Sequence, residues 1–136
     1  MADLFVCKDA DADLDAIYEK DEDAGALIDV LLQEIDENHA LMEELCRPRR
    51  HYLHKPPFEV KRYEEMWALG KNIFILKIHS EDGELLPYRV LYGFNAQRNR
   101  YHVLAAVERE IAYDNSDPLF NTIIARYEQC GIPTYG

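Results

Sequence analysis

Lys61, Lys77, Arg89, Arg109 and Tyr113 are the residues of this chain whose types and spacing suit chemistry. All five lie in or beside runs that read as strands, so a sheet could bring them together. The substrate such a set fits is an RNA phosphodiester. Cations stabilise charge developing on the scissile phosphate, and a Tyr, His or Lys moves the proton of the 2′-hydroxyl. Chemistry of this kind needs no cofactor and no metal, and none is expected. Other site types are set aside, because G-x-S-x-G, Walker A, G-x-G-x-x-G and H-E-x-x-H are all missing from the sequence. His51 and His54 lie three apart, but no helix is expected there and no third ligand is evident. His79 and His102 fall on strands and read as half-buried polar residues. Cys7, Cys46 and Cys130 have neither C-x-x-C spacing nor a zinc-finger His. They read as reduced thiols with a structural role and no chemistry.

Residues 47 to 63, RPRRHYLHKPPFEVKRY, hold the main basic concentration, with Glu59 as the lone acid. Tyr52, Phe58 and Tyr63 are interleaved with the charges. That mixture suits a nucleic-acid surface, with cations for phosphates and flat rings for bases. It equally suits a solvated loop paired with acidic helices, since Pro56-Pro57 enforces extended backbone. On the first reading Arg47, Arg49, Arg50, His54, Lys55 and Arg62 are candidate RNA contacts, joined by Lys77 from a later strand.

The elements that must position these residues centre on Leu86 to Tyr113. Two runs rich in Val, Tyr, Phe and Leu flank Asn95-Ala96-Gln97-Arg98-Asn99, whose asparagines tolerate positive φ, so the stretch reads as a β-hairpin. In the first run Tyr88, Val90, Tyr92 and Phe94 share one face, and Arg89 points away from it. The second run, 101 to 109, is almost continuously apolar and fits a central strand. Upstream, 58 to 63 alternates in strand fashion. KNIFILKIHS puts Phe74, Leu76 and Ile78 on one face and Ile73, Ile75, Lys77 and His79 on the other. Glu81-Asp82-Gly83-Glu84 is a hairpin turn. Strands from 58 to 109 then form an antiparallel meander, with Lys61, Lys77, Arg89 and Arg109 on its open face.

The first third of the chain reads as a short strand at 3 to 7, then helices. Leu14, Ile17 and Tyr18 share a helical face, 20 to 23 is a break, and Leu27, Ile28, Leu31, Leu32 and Ile35 form an apolar stripe. Asn38 ends that helix or caps a short one carrying Leu41, Met42 and Leu45. Asp117-Pro118 opens a C-terminal helix with Leu119, Phe120, Ile123, Ile124 and Tyr127 on its apolar side. The fold expected is a single α+β domain spanning 1–136, with N-terminal helices packed on a small antiparallel sheet and a C-terminal helix covering it.

The formal net charge of −11 is segmental. Residues 1 to 45 carry 15 acidic and 2 basic residues, a net −13, whereas 46 to 136 carry 11 acidic and 13 basic, a net +2. The acidic third is a solvated helix face or a mask against polyanions. No run approaches a membrane span and the N-terminus lacks a signal-peptide pattern, so a cytoplasmic protein is expected.

FEVKRY at 58 to 63, PYRVLYGF at 87 to 94 and VLAAVEREIAY at 103 to 113 together resemble the RelE/HigB/ParE superfamily of bacterial toxins from type II toxin–antitoxin systems. The resemblance spans roughly residues 3 to 128 and implies a RelE/ParE-like fold. For RelE-like members it implies a ribosome-dependent mRNA endoribonuclease, an mRNA interferase, whose partners are the ribosome with its mRNA and an antitoxin protein. It further implies Lys61 and Arg62 as phosphate or base contacts, Arg89 and Arg109 as transition-state stabilisers, and Tyr113 as a stacking or proton-transfer group. The net acidity leaves a second reading open. On it the chain is a protein-binding module on the same scaffold, gyrase-directed or non-toxic, without nuclease activity.

Overall fold

A computed structural model describes residues 3–46, 58–80, 84–112 and 118–134. In chain order the elements are β1 (Asp3–Val6), α1 (Lys8–Lys20), α2 (Glu22–Glu37), α3 (His39–Glu44), β2 (Phe58–Arg62), α4 (Glu64–Trp67), β3 (Ile73–His79), β4 (Leu85–Asn95), β5 (Arg100–Glu108), α5 (Arg109–Ala112) and α6 (Pro118–Gln129). The fold is α+β, with a five-stranded sheet in the order β1-β5-β4-β3-β2. The meander from β2 to β5 is antiparallel, as its turns demand. β1 instead pairs parallel to β5, from Asp3↔Arg100 to Val6↔Val103, so the sheet is mixed and the antiparallel expectation is corrected. A parallel neighbour requires a long crossover, and the chain between Val6 and Arg100, helices and three strands of the meander together, supplies it.

The helices form for local reasons. Asp21 separates α1 from α2, and its side chain accepts from the Ala24 N–H at 3.2 Å. Asn38 caps α3 by accepting from the N–H groups of Ala40 and Leu41. Such caps are worth about 1 kcal/mol each. The stripe of α2 is buried through Ile28, Leu31, Leu32 and Ile35, while Asp29, Glu34, Asp36 and Glu37 face outward. Tyr18 departs from expectation, being 48% exposed with its hydroxyl donating to Glu22, while Leu14 and Ile17 carry the buried face of α1. α1 and α2 approach closely at Gly25, where an added Cβ would sit 2.6 Å from the Tyr18 Cα.

The core lies between α1–α3 and one face of the sheet. Phe58, Val60, Phe74, Leu76, Val90 and Tyr92 belong to that face by register. Tyr92 stacks on Phe74 with ring centroids 5.4 Å apart, and its hydroxyl donates to the Leu45 carbonyl at 2.5 Å. In the hairpin turn Asn95 accepts from the Gln97 and Arg98 N–H groups, and Asn99 takes a positive φ of 51°.

The opposite face is covered at one end by α6. At Gly93 a Cβ would meet Tyr127 and Ile132 at 3.1 Å, and the Tyr127 hydroxyl donates to the Pro133 carbonyl while accepting from the Asn72 N–H. A helix could not lie this close to a bulkier residue. β5 carries a bulge where Leu91 pairs Ala105 but Tyr92 pairs Val103. β1 ends at Val6, so the outer edge of β5 beyond Val103 lacks a strand partner among the described residues. Side chains complete it. Asp13 of α1 accepts from the Ala106 N–H at 3.3 Å, and Arg126 of α6 donates to the Leu104 carbonyl at 2.8 Å. Among the described residues no helix is long and apolar enough to cross a membrane.

Candidate nucleic-acid interface

Sheet register decides which of the candidate cations meet. Glu59, Lys77, Arg89 and Val107 form one row across β2, β3, β4 and β5. Lys61 lies in the next row on that face, opposite Ile75, which is opposite Leu91. Lys61, Lys77 and Arg89 therefore share a face, with Lys77 and Arg89 directly opposed. Directly opposed side chains have Cβ atoms about 5 Å apart and diagonal ones about 7–8 Å. Lys77 thus lies beside both Lys61 and Arg89, which are themselves two strands apart.

Their depths differ. Lys61 is exposed and Lys77 is half-buried. Arg89 is only 2% exposed, so the face is not open at this residue, contrary to expectation. Its Nη1 donates to the carbonyls of Leu86, at 2.8 Å, and Tyr88, at 3.0 Å. Strand alternation places a side chain on a face but says nothing of what packs above it. Glu59 contributes a carboxylate to the same patch and holds His79 Nε2 at 3.0 Å.

Arg62 lies on the other face, in the row of Phe74 and Tyr92, and its guanidinium sits 4.6 Å from the Trp67 ring centroid. It does not join the other cations. Arg109 opens α5 and is exposed, between Glu108 and Glu110. Lys20 pairs with the Glu108 carboxylate, which offsets part of the negative field beside Arg109. Lys20 is held more firmly in its protonated form by Glu108 through that hydrogen bond. Tyr113, Arg47, Arg49, Arg50, His51, His54 and Lys55 lie outside the described residues.

A second cluster was not anticipated. Cys7, at the junction of β1 and α1, meets Cys130, at the end of α6, with their sulfurs 2.9 Å apart and both thiols free. His102 of β5 joins them, and one candidate ligand atom from each of the three lies within 4.8 Å of the others. Burial, then the contact with Cys130, pushes the Cys7 thiol up to about 12. Burial and the nearby Arg100 push His102 below its usual range, which favours neutral imidazole. No local spacing signals this cluster, because its members come from three distant parts of the chain. The Phe5↔His102 pairing that brings them together is long-range.

No family model matches the chain, and no curated protein or solved structure matches it.

Proposed function

We propose that the chain is a RelE/ParE-like toxin module that cleaves mRNA on the ribosome by attack of the 2′-hydroxyl on the adjacent phosphate, and that an antitoxin protein neutralises it. The observation that carries this reading is the placement of Lys61, Lys77 and Arg89 on one sheet face, with Lys77 directly opposite Arg89. Like charges in that relation cost stability, and a bound polyanion offsets the cost. Their exposures divide the work. Lys61 and Lys77 hold phosphate oxygens, and Arg89 lends positive potential from beneath while its Nη1 is engaged by backbone carbonyls. Arg109, exposed at the start of α5, is the second transition-state stabiliser, and Tyr113 stacks on a base or moves the proton. The order of strand, helices and meander, with the residue patterns at 58 to 63, 87 to 94 and 103 to 113, supports the family assignment.

The burial of Arg89 favours a second reading, a protein-binding module on the same scaffold that is gyrase-directed or non-toxic. Induction in a bacterial host separates the two. The wild type is compared with Lys61→Ala and Lys77→Ala, following growth and mapping 5′ ends of ribosome-bound mRNA. Growth arrest with new cuts in mRNA, lost in the variants, supports the nuclease. Intact mRNA with well-expressed, folded protein rejects it. Arrest without cuts leads to the protein target.

A further inference from the structure

We propose that Cys7, His102 and Cys130 form a binding site for a soft divalent cation, Zn²⁺ in the first instance, with three protein ligands and a fourth position left to water or a small ligand. The inference is independent of the nuclease reading, since it rests on other residues at another place in the fold.

Three observations carry it. The first is convergence. The end of β1, the start of β5 and the end of α6 bring two sulfurs and an imidazole together, with one candidate ligand atom from each within 4.8 Å of the others. A tetrahedral centre with ordinary Zn–S and Zn–N bonds spaces its ligand atoms by roughly 3.5–3.8 Å. The sulfurs, now 2.9 Å apart, need to separate by less than about 1 Å to meet that spacing.

The second is His102. It is 4% exposed, and neither ring nitrogen has a hydrogen-bond partner among the described residues. Buried polar side chains are almost always satisfied, so one with both nitrogens orphaned calls for a partner, and an ion is one that the two adjacent sulfurs would also engage. The Phe5 ring lies edge-on to the imidazole, with centroids 5.9 Å apart and planes at 70°. A Cys7–Cys130 disulfide would account for the sulfurs but leave the histidine unsatisfied. A metal would engage both sulfurs and one of the two ring nitrogens.

The third is the use of Cys7. It occupies the N-cap position of α1, yet its side chain makes no cap hydrogen bond and turns to Cys130 instead. Cys130 is partly exposed. Thiolate and imidazole donors select zinc or another soft ion over magnesium or calcium. Each thiol binds as thiolate, its proton passing to solvent. A bound ion would tie the N-terminal strand to the C-terminal helix through the central sheet.

The full-length protein, purified under reducing conditions and stripped with a chelator, is titrated with Co²⁺ as the spectroscopic probe. Expected are thiolate-to-cobalt charge-transfer bands and d–d bands of tetrahedral intensity that saturate at one ion per chain. Zn²⁺ then abolishes those bands, and the thermal midpoint rises with Zn²⁺ concentration. Cys130→Ser and His102→Ala each weaken binding by more than about 100-fold, since loss of even an outer-shell partner typically costs about 10- to 100-fold. Cys46→Ser, at an exposed thiol, leaves binding unchanged. The proposal is overturned if the folded, reduced protein gives no bands, or if the bands persist in Cys130→Ser. It is also overturned if Cys7 and Cys130 are recovered as a disulfide from zinc-replete, reducing medium. Should His102→Ala fail to fold, Cys130→Ser at its half-exposed position decides the matter.

Discussion

Arg126 and Asp13 meet at 2.9 Å across 113 positions of sequence, and together they occupy the edge of β5 where β1 has run out. The carboxylate receives the Ala106 N–H and the guanidinium donates to the Leu104 carbonyl, so an ion pair does what a further strand would do. Unpaired strand edges invite association with other chains, and this one is covered by two side chains from different helices.

Removing either partner should therefore cost more than an ordinary surface pair. Arg126→Ala leaves the Leu104 carbonyl without its donor and the partly buried Asp13 carboxylate with only the Ala106 N–H, an expected loss of about 1–3 kcal/mol in urea unfolding. A double-mutant cycle with Asp13→Asn should show clear coupling. Additive effects would mean the edge is satisfied in some other way.

Gly25→Ala tests the approach of the first two helices. The new methyl group would lie 2.6 Å from the Tyr18 Cα, a backbone atom that cannot step aside. The expected cost is about 1–3 kcal/mol, although alanine is the better helix former. A gain in the denaturation midpoint would show that the helices slide apart freely.

Lys77 sets stability against binding. Replacing it with Gln relieves repulsion with Arg89 but loses attraction to Glu59, so stability should change by no more than about 0.5 kcal/mol. If the cation patch holds RNA, the same change should lower affinity and reduce the dependence of log K on log salt by about 0.7, the single-strand value for one phosphate contact. Unchanged affinity at low salt would remove Lys77 from the interface.

Tyr92 predicts a response to alkali. Burial raises its phenol well above the ordinary value, so the folded protein keeps the proton where the unfolded chain releases it. Above about pH 10 the unfolded state binds fewer protons than the folded one, and stability falls as pH rises. Below that pH the contribution is intact. Tyr92→Phe should flatten the alkaline limb of a stability–pH curve. At neutral pH it should cost about 1–2 kcal/mol, because the Leu45 carbonyl loses its donor.

The meander and the α2 stripe were legible because both rest on local periodicity. Tyr88, Val90 and Tyr92 alternate against Arg89 and Leu91, and the ladder keeps that assignment, as it does the face given to Lys61. The Asn95–Asn99 turn was legible from residues that tolerate a positive φ. α4 escaped because four residues, Glu64–Trp67, are too few for a helical period to declare itself. The parallel pairing of β1 escaped because strand direction is set by a long crossover and leaves no mark on Asp3–Val6. Arg89 was given the right face and the wrong depth, since depth depends on what covers a strand. The thiol–imidazole cluster escaped altogether, having no spacing to read.

The pairing of β1 with β5 also has a consequence in time. Asp3 finds Arg100, 97 positions later, through both a ladder register and a bidentate side-chain contact. During synthesis the first strand has no partner until residues 100 to 103 have left the ribosome. Closing so long a loop costs entropy before any contact offsets it. The helices can form while they wait, but the face assembled across β2 to β5 acquires its N-terminal edge last. A chain interrupted before Arg100 would have a free first strand and a sheet without β5, so the outer edge of β4 would stand open until those residues are made.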